Sequence, residues 1–156
     1  MKTIKIAFYK KTAPKANWID KIIAWWTKGL YSHVELIVEN EMYSTSPRDG
    51  HVRKKKHIYD KNTWDYLTLK ITEKDYKKFL NFFEQTQGLK YDWFGIFGFI
   101  SPISDREDKY FCSEWVTKAL IIVGINKLFP IEPSKTSPNR LYKLLNKNES
   151  VFKGVK

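Results

Sequence analysis

The 156-residue chain is long enough to bury the core of one domain and short for two, so residues 1–156 are read as a single domain. Its 28 Lys and Arg against 17 Asp and Glu give a formal net charge of +11, which suits anionic surfaces such as nucleic acid, acidic cell-wall polymer or anionic lipid; the one cysteine excludes an internal disulfide. The basic residues are spread along the chain with 53–56 as the only dense block, and no nucleic-acid reader motif accompanies them, so a solvated Lys-rich face is expected.

The N-terminal MKTIKIAFYKK has an apolar centre broken by Lys5 and neither a signal-peptide core nor a small-residue cleavage site. It predicts a first strand over 4–9 and a cytoplasmic protein, and no segment of the chain has the apolar length to span a bilayer. Asn17 caps a predicted helix over 18–28, with Gly29 as its stop. Trp18, Ile19, Ile22, Ile23 and Trp26 form one apolar stripe along it, expected to face the core together with Trp25; an exposed Trp25 would instead wall a substrate groove.

Residues 31–39, YSHVELIVE, alternate as a strand. Val34, Leu36 and Val38 share one face, and His33, Glu35 and Ile37 the other. A polar pair opposite a core-facing triplet suits either a site or a solvent-facing antiparallel edge. A turn at Asn40-Glu41 leads into a hairpin partner over 42–45, then a loop over 46–50 and a short strand over 51–57. Lys54, Lys55 and Lys56 read there as protection of a sheet edge. His51 and His57 lack metal-ligand spacing, and neither a metal nor a cofactor is expected.

A strand over 64–71 follows, then a Thr72–Asp75 variant of the capping box opening a helix to about Gln87, with Tyr76, Phe79, Leu80 and Phe83 inward and Gly88 as its end. Residues 94–100 are apolar throughout and predict a buried segment or the lining of a hydrophobic channel, and 102–108 form a polar, acidic loop. Beyond it, Trp115, Val116, Ala119, Leu120 and Val123 recur at helical spacing, with Cys112 just ahead of them. Pro138 starts a last short helix through Leu145.

Cys112 therefore stands at a predicted helix start, where unpaired N–H groups and the helix dipole favour a thiolate. A cysteine and a histidine, His33, are the minimum for thiol nucleophilic catalysis. Their alternative readings are a small buried hydrophobe and a hydrogen-bonded structural histidine.

Three segments in this order, Tyr31-Ser32-His33-Val34 with its hairpin, Lys90-Tyr91-Asp92-Trp93 followed by Gly95, and Phe111-Cys112-Ser113-Glu114-Trp115, resemble the circularly permuted branch of the NlpC-type papain-like superfamily. That branch includes YiiX-like amidases and, more distantly, lecithin:retinol acyltransferase-like enzymes. The resemblance implies an α+β, permuted papain-like fold: a small antiparallel sheet packed against helices, with the nucleophile at a helix N-terminus. It implies Cys112 as nucleophile and His33 as base, histidine preceding cysteine in the chain, a site recognised by geometry rather than chain order.

The resemblance also places a third polar group on the neighbouring strand, where this chain has Ser44 in place of an acid, amide or histidine. Glu35, with its Cβ roughly 6–7 Å from that of His33 along the strand, is the acidic alternative and is placed ahead of Ser44. Tyr91 matches the family's tyrosine ahead of the site, as an oxyanion or pocket residue or as a packed aromatic; the Cys112 N–H is the other oxyanion donor. Asp92 reads equally as the N-cap of the following segment, and Glu114 as a complement to the helix dipole.

The activity so implied is a thiol hydrolase that cleaves an amide, isopeptide or ester bond through an acyl-enzyme. A peptidoglycan peptide is the first substrate expected, in a phage-encoded or cytoplasmic setting, and a lipid ester, with acyl transfer or ester hydrolysis, is the other branch. The competing class is a non-catalytic basic module that binds an anionic polymer or a protein partner.

Overall fold

Strand β1 (Lys2–Lys10) is the spine of the molecule, because Ile4, Ile6 and Phe8 all fall on one side of its pleat and are fully buried there. A computed structural model describes residues 1–93, 109–125, 130–148 and 153–154. After β1 come α1 (Trp18–Trp26), β2 (Tyr31–Val38), β3 (Glu41–Thr45), β4 (Val52–Lys56), β5 (Trp64–Ile71) and α2 (Glu73–Thr86). Then follow β6 (Lys90–Tyr91), β7 (Lys109–Tyr110), α3 (Cys112–Ile122), a 3-10 turn at Pro133–Lys135, α4 (Pro138–Lys147) and β8 (Lys153–Gly154).

Six strands form one antiparallel sheet in the order β4-β3-β2-β1-β5-β8, and β6 and β7 form a separate parallel pair. The fold is α+β. The alternation expected in β2 is observed: Val34, Leu36 and Val38 join the main core, while Ile37 belongs to a smaller cluster with Ala7 and Tyr66 on the opposite face. On the core face the sheet packs with Phe79 and Phe83 of α2, Trp115, Val116 and Leu120 of α3, and Leu141 and Leu145 of α4. Trp115, fully buried, stacks on Phe82 and meets Phe79 and Phe83 edge-on, while its indole N–H donates to Thr86 Oγ1 at 2.9 Å. That bond satisfies the one polar atom of a large apolar ring and fixes α3 on α2.

The first helix departs from expectation. Asn17 caps α1 through a reciprocal capping box with Asp20, but the buried residues are Asp20, Ile23 and Ala24. Trp18, Ile22, Trp25 and Trp26 are exposed, so of the stripe expected to face the core Ile23 is buried and Ile19 half-buried, while its two tryptophans and Ile22 face outward. Periodicity finds an apolar stripe; it does not say whether another element covers it. Here Asp20 anchors the opposite side by accepting from Ser32 Oγ at 3.0 Å and from Arg48 at 2.8 Å. The apolar run 94–100 and the loop 102–108 lie outside the described residues.

The link from α1 to β2 is held by one side chain of α4. Asn139 is buried; its Oδ1 accepts from the Tyr31 N–H at 2.9 Å, and its Nδ2 donates to the Tyr31 carbonyl at 2.8 Å and to Thr27 Oγ1 at 2.6 Å. A Cβ on Gly29 would overlap that same side chain, which explains glycine there. Asn139 therefore fixes the start of the strand that carries His33. We expect Asn139→Ala to leave both Tyr31 backbone groups unpaired and lower stability by about 2–4 kcal/mol, measured as the urea midpoint, with Gly29→Ala destabilising in the same assay.

Candidate active site

The site forms where β2 runs past the end of its neighbour. β3 pairs with β2 only over Leu36, Ile37 and Val38, so His33 lies beyond the paired part on that side. The N-terminus of α3 comes in from the parallel pair: Tyr91 of β6 stands opposite Tyr110 of β7, which runs through Phe111 directly into Cys112. Tyr91 is tied in turn to the β3–β4 loop, its N–H donating to the Gly50 carbonyl at 2.8 Å. Three chain segments thus bring Cys112, His33 and Tyr91 to the wall of one cavity of about 210 Å³.

His33 is held on one side and faces the cavity on the other. Its Nε2 lies 2.7 Å from Glu35 Oε1, and the ring lines the same cavity as Cys112, whose side chain is near enough to act on its charge. With Nε2 on the carboxylate, Nδ1 is the nitrogen left for sulfur. Burial alone would lower the imidazole's pKa, but the Cys112 and Glu35 side chains outweigh it and hold His33 up at about 9, above its ordinary 6.5. Burial likewise works against the Glu35 carboxylate, yet His33 and Arg53 bring it down to about 2.

Glu35 is almost wholly buried and has a second partner. Arg53 of β4 donates from Nη1 to Oε2 at 2.9 Å and from Nη2 to Oε1 at 2.8 Å, a two-pronged grip on the carboxylate. Arg53 Nε in turn donates to Asp49 Oδ2 at 2.7 Å, and Asp49 accepts from Ser46 Oγ at 2.6 Å and pairs with Lys55. Despite burial, these partners keep Asp49 well below the usual carboxylate range. The structure decides between the two candidates for a partner of His33. Ser44 is fully buried, but its hydroxyl donates to the Val34 carbonyl at 2.9 Å, whereas Glu35 touches the ring.

The start of α3 is open in an unusual way. Its N-cap is Phe111, whose side chain accepts nothing, so the first-turn N–H groups have no side-chain acceptor at the cap position. Glu114 reaches back to the Phe111 backbone; burial pushes its carboxyl up to about 7, with Lys118 pulling the other way. Asp92 is buried, and its N–H donates to the Tyr110 carbonyl at 2.9 Å; the segment it was expected to cap lies outside the described residues. Tyr91 is buried beside Cys112, and burial first, then the Cys112 and Asp92 charges, push its phenol well above 10. It therefore remains a proton donor across the working pH range.

Arg53 was grouped by sequence with an exposed basic edge. The structure separates it: Lys54, Lys55 and Lys56 are exposed, while Arg53 is buried. Its register opposite Ser44 puts it beside Glu35, a long-range fact whose only trace in the sequence is a guanidinium among lysines. Asp20, Arg48 and Asp49 also line the cavity and carry no local signal.

Two outcomes test this geometry. Arg53→Met leaves a buried carboxylate with His33 as its only described charged partner and is expected to destabilise by about 3–5 kcal/mol in urea unfolding. The His33 ring, followed by NMR, should titrate near 9 in the wild type and lower in Cys112→Ser, since the sulfur is the largest influence raising it. The linked stability is full below 6.5 and lost as pH rises through about 9, and His33→Ala should remove that slope.

No family model matches the chain, and no curated protein or solved structure does either.

Proposed function

We propose that this protein is a cysteine hydrolase of permuted papain-like architecture, cleaving an amide, isopeptide or ester bond through an acyl-enzyme. The observation that carries the reading is the position of His33, which shares a cavity wall with Cys112 and lies at 2.7 Å from the Glu35 carboxylate. That is the nucleophile, base and orienting group of a thiol triad, assembled from α3 and β2.

Each step follows from that arrangement. The Cys112 thiolate attacks the substrate carbonyl, forming a C–S bond and an oxyanion that the Cys112 N–H and the Tyr91 hydroxyl stabilise. The His33 imidazolium protonates the leaving amine or alkoxide as the C–N or C–O bond breaks, leaving a thioester and a neutral ring. His33 then takes a proton from water, whose oxygen attacks the thioester, and collapse releases the acid and restores the ion pair. Glu35 keeps the Nε2–H pointing away from sulfur throughout.

A peptide is the favoured substrate, peptidoglycan peptide first, in a phage-encoded or cytoplasmic setting. The cleft supports a charged peptide, since Asp20, Asp49, Arg48 and Lys55 line it alongside the reacting groups. Lipid esters are the alternative on the same site, with Ile19, Ile23 and Met42 offering the apolar part of the wall.

The test is iodoacetamide alkylation of the single thiol, together with turnover of a panel of peptide amides and aryl esters. We expect wild-type Cys112 to alkylate readily near neutral pH and His33→Ala to slow it. Turnover should fall by about 10²-fold or more in Cys112→Ser, His33→Ala and Glu35→Gln, with an acyl adduct on Cys112 detected by mass spectrometry. A thiol indifferent to His33 removal, with no turnover of any substrate, would sink the reading in favour of a basic binding module.

A further inference from the structure

Helix α1 carries its apolar stripe on the outside of the protein. Trp18 is 69 % exposed, Ile22 50 %, Trp25 72 % and Trp26 41 %. At helical spacing these four share one arc about 100° wide, opposite the buried Asp20, Ile23 and Ala24. Isolated exposed apolar side chains are ordinary, but three tryptophans and an isoleucine on one helix face form a patch that calls for a partner.

The surroundings of the patch say which partner. Exposed Lys21 borders the arc on one side, and exposed Lys15 and Lys28 flank the two ends of the helix. Beside Trp26 lies a hollow lined by Thr27, Lys135, Ser137 and Arg140. Lys135 there pairs with Glu132 at 3.0 Å, while Arg140 has no carboxylate partner among the described residues. On its other border, Ile19 turns into the cavity that holds Cys112. An indole-rich stripe edged by cations matches the boundary between lipid headgroups and acyl chains, where tryptophan rings settle and lysine tips meet phosphate. A second copy of this chain would bring like charge against these cations at a net +11 per chain. Nine residues cannot cross a bilayer, so α1 would lie in the plane of the surface.

We propose that α1 docks the protein on an anionic lipid bilayer, with the mouth of the Cys112 cleft held at the interface. The docking does not depend on the catalytic reading, and its readout is binding alone. The full chain would be co-sedimented with vesicles of phosphatidylcholine and with vesicles of phosphatidylcholine plus phosphatidylglycerol. The wild type and Cys112→Ser should partition equally onto the phosphatidylglycerol vesicles. Trp18→Ser with Trp25→Ser should lower that partitioning by about tenfold or more, at an unchanged thermal midpoint, since both side chains are exposed. Lys21→Glu with Lys28→Glu should weaken it by roughly fivefold per charge, with little effect on phosphatidylcholine alone. Wild-type protein left in the supernatant with both vesicles, or binding that survives loss of the two tryptophans, overturns the proposal. So does a wild-type dimer that the tryptophan variant converts to monomer by light scattering, which would assign the face to a second copy.

Discussion

The Glu35 carboxylate is the constraint around which the site is built. A charge taken out of water costs several kcal/mol unless it is paired and hydrogen-bonded on every side. Arg53 supplies two bonds and His33 a third. The guanidinium is fixed by Asp49, and Asp49 by Ser46 and Lys55. The chain of ions alternates in sign from solvent inward: Lys55, Asp49, Arg53, Glu35, His33. Cys112 lies at its inner end, lining the same cavity as His33, and each carboxylate of the network has a cationic partner. The imidazole is then oriented by sheet register, because its partner Glu35 belongs to β2 and is itself gripped by Arg53 of β4, and only the sulfur arrives from a helix.

This arrangement shows which parts of the molecule were legible in the sequence. Alternation in 31–39 placed His33 and Glu35 on one face and the aliphatic triplet on the other, because a strand's two-residue period is a local property. The helix behind Cys112 was equally local. Arg53 was hidden because its neighbours Lys54, Lys55 and Lys56 made a basic edge look uniform, and its burial depends on pairing with Ser44 across a hairpin. Ser44 stood second to Glu35 as the third polar group, and only the fold shows that its hydroxyl donates to the Val34 carbonyl. The stripe on α1 was assigned to the core as a whole, whereas Ile23 is buried and Trp18, Ile22 and Trp26 face outward. An apolar face is a statement about a helix, whereas its burial is a statement about what the rest of the chain has left to cover it.

The outward stripe and the site are joined through Asp20. Its carboxylate closes the capping box of α1, accepts from Ser32 beside His33, and receives Arg48 from the loop before β4. A helix anchored on its polar side turns its apolar side away from the sheet. The same residue that seats α1 on the strand carrying His33 thereby exposes the tryptophans and sets Ile19 and Ile23 in the cleft wall.

Helix α3 makes the complementary choice at its N-terminus. A serine, threonine or aspartate in place of Phe111 would satisfy first-turn N–H groups and stabilise the helix by about 1 kcal/mol. Such a cap would take the N–H of Ser113 or Glu114 and leave that of Cys112 untouched. Phe111 is buried, accepts no such bond, and leaves the cap position apolar. Ser113 and Thr117 carry the same signature, with buried hydroxyls that find no hydrogen-bond partner among the described residues. The helix tolerates this because Trp115, Val116, Ala119 and Leu120 bury its length against sheet and helix. Packing along the body of α3 offsets what its first turn gives up, and Cys112 stands at the end of the helix whose cap position offers no side-chain acceptor.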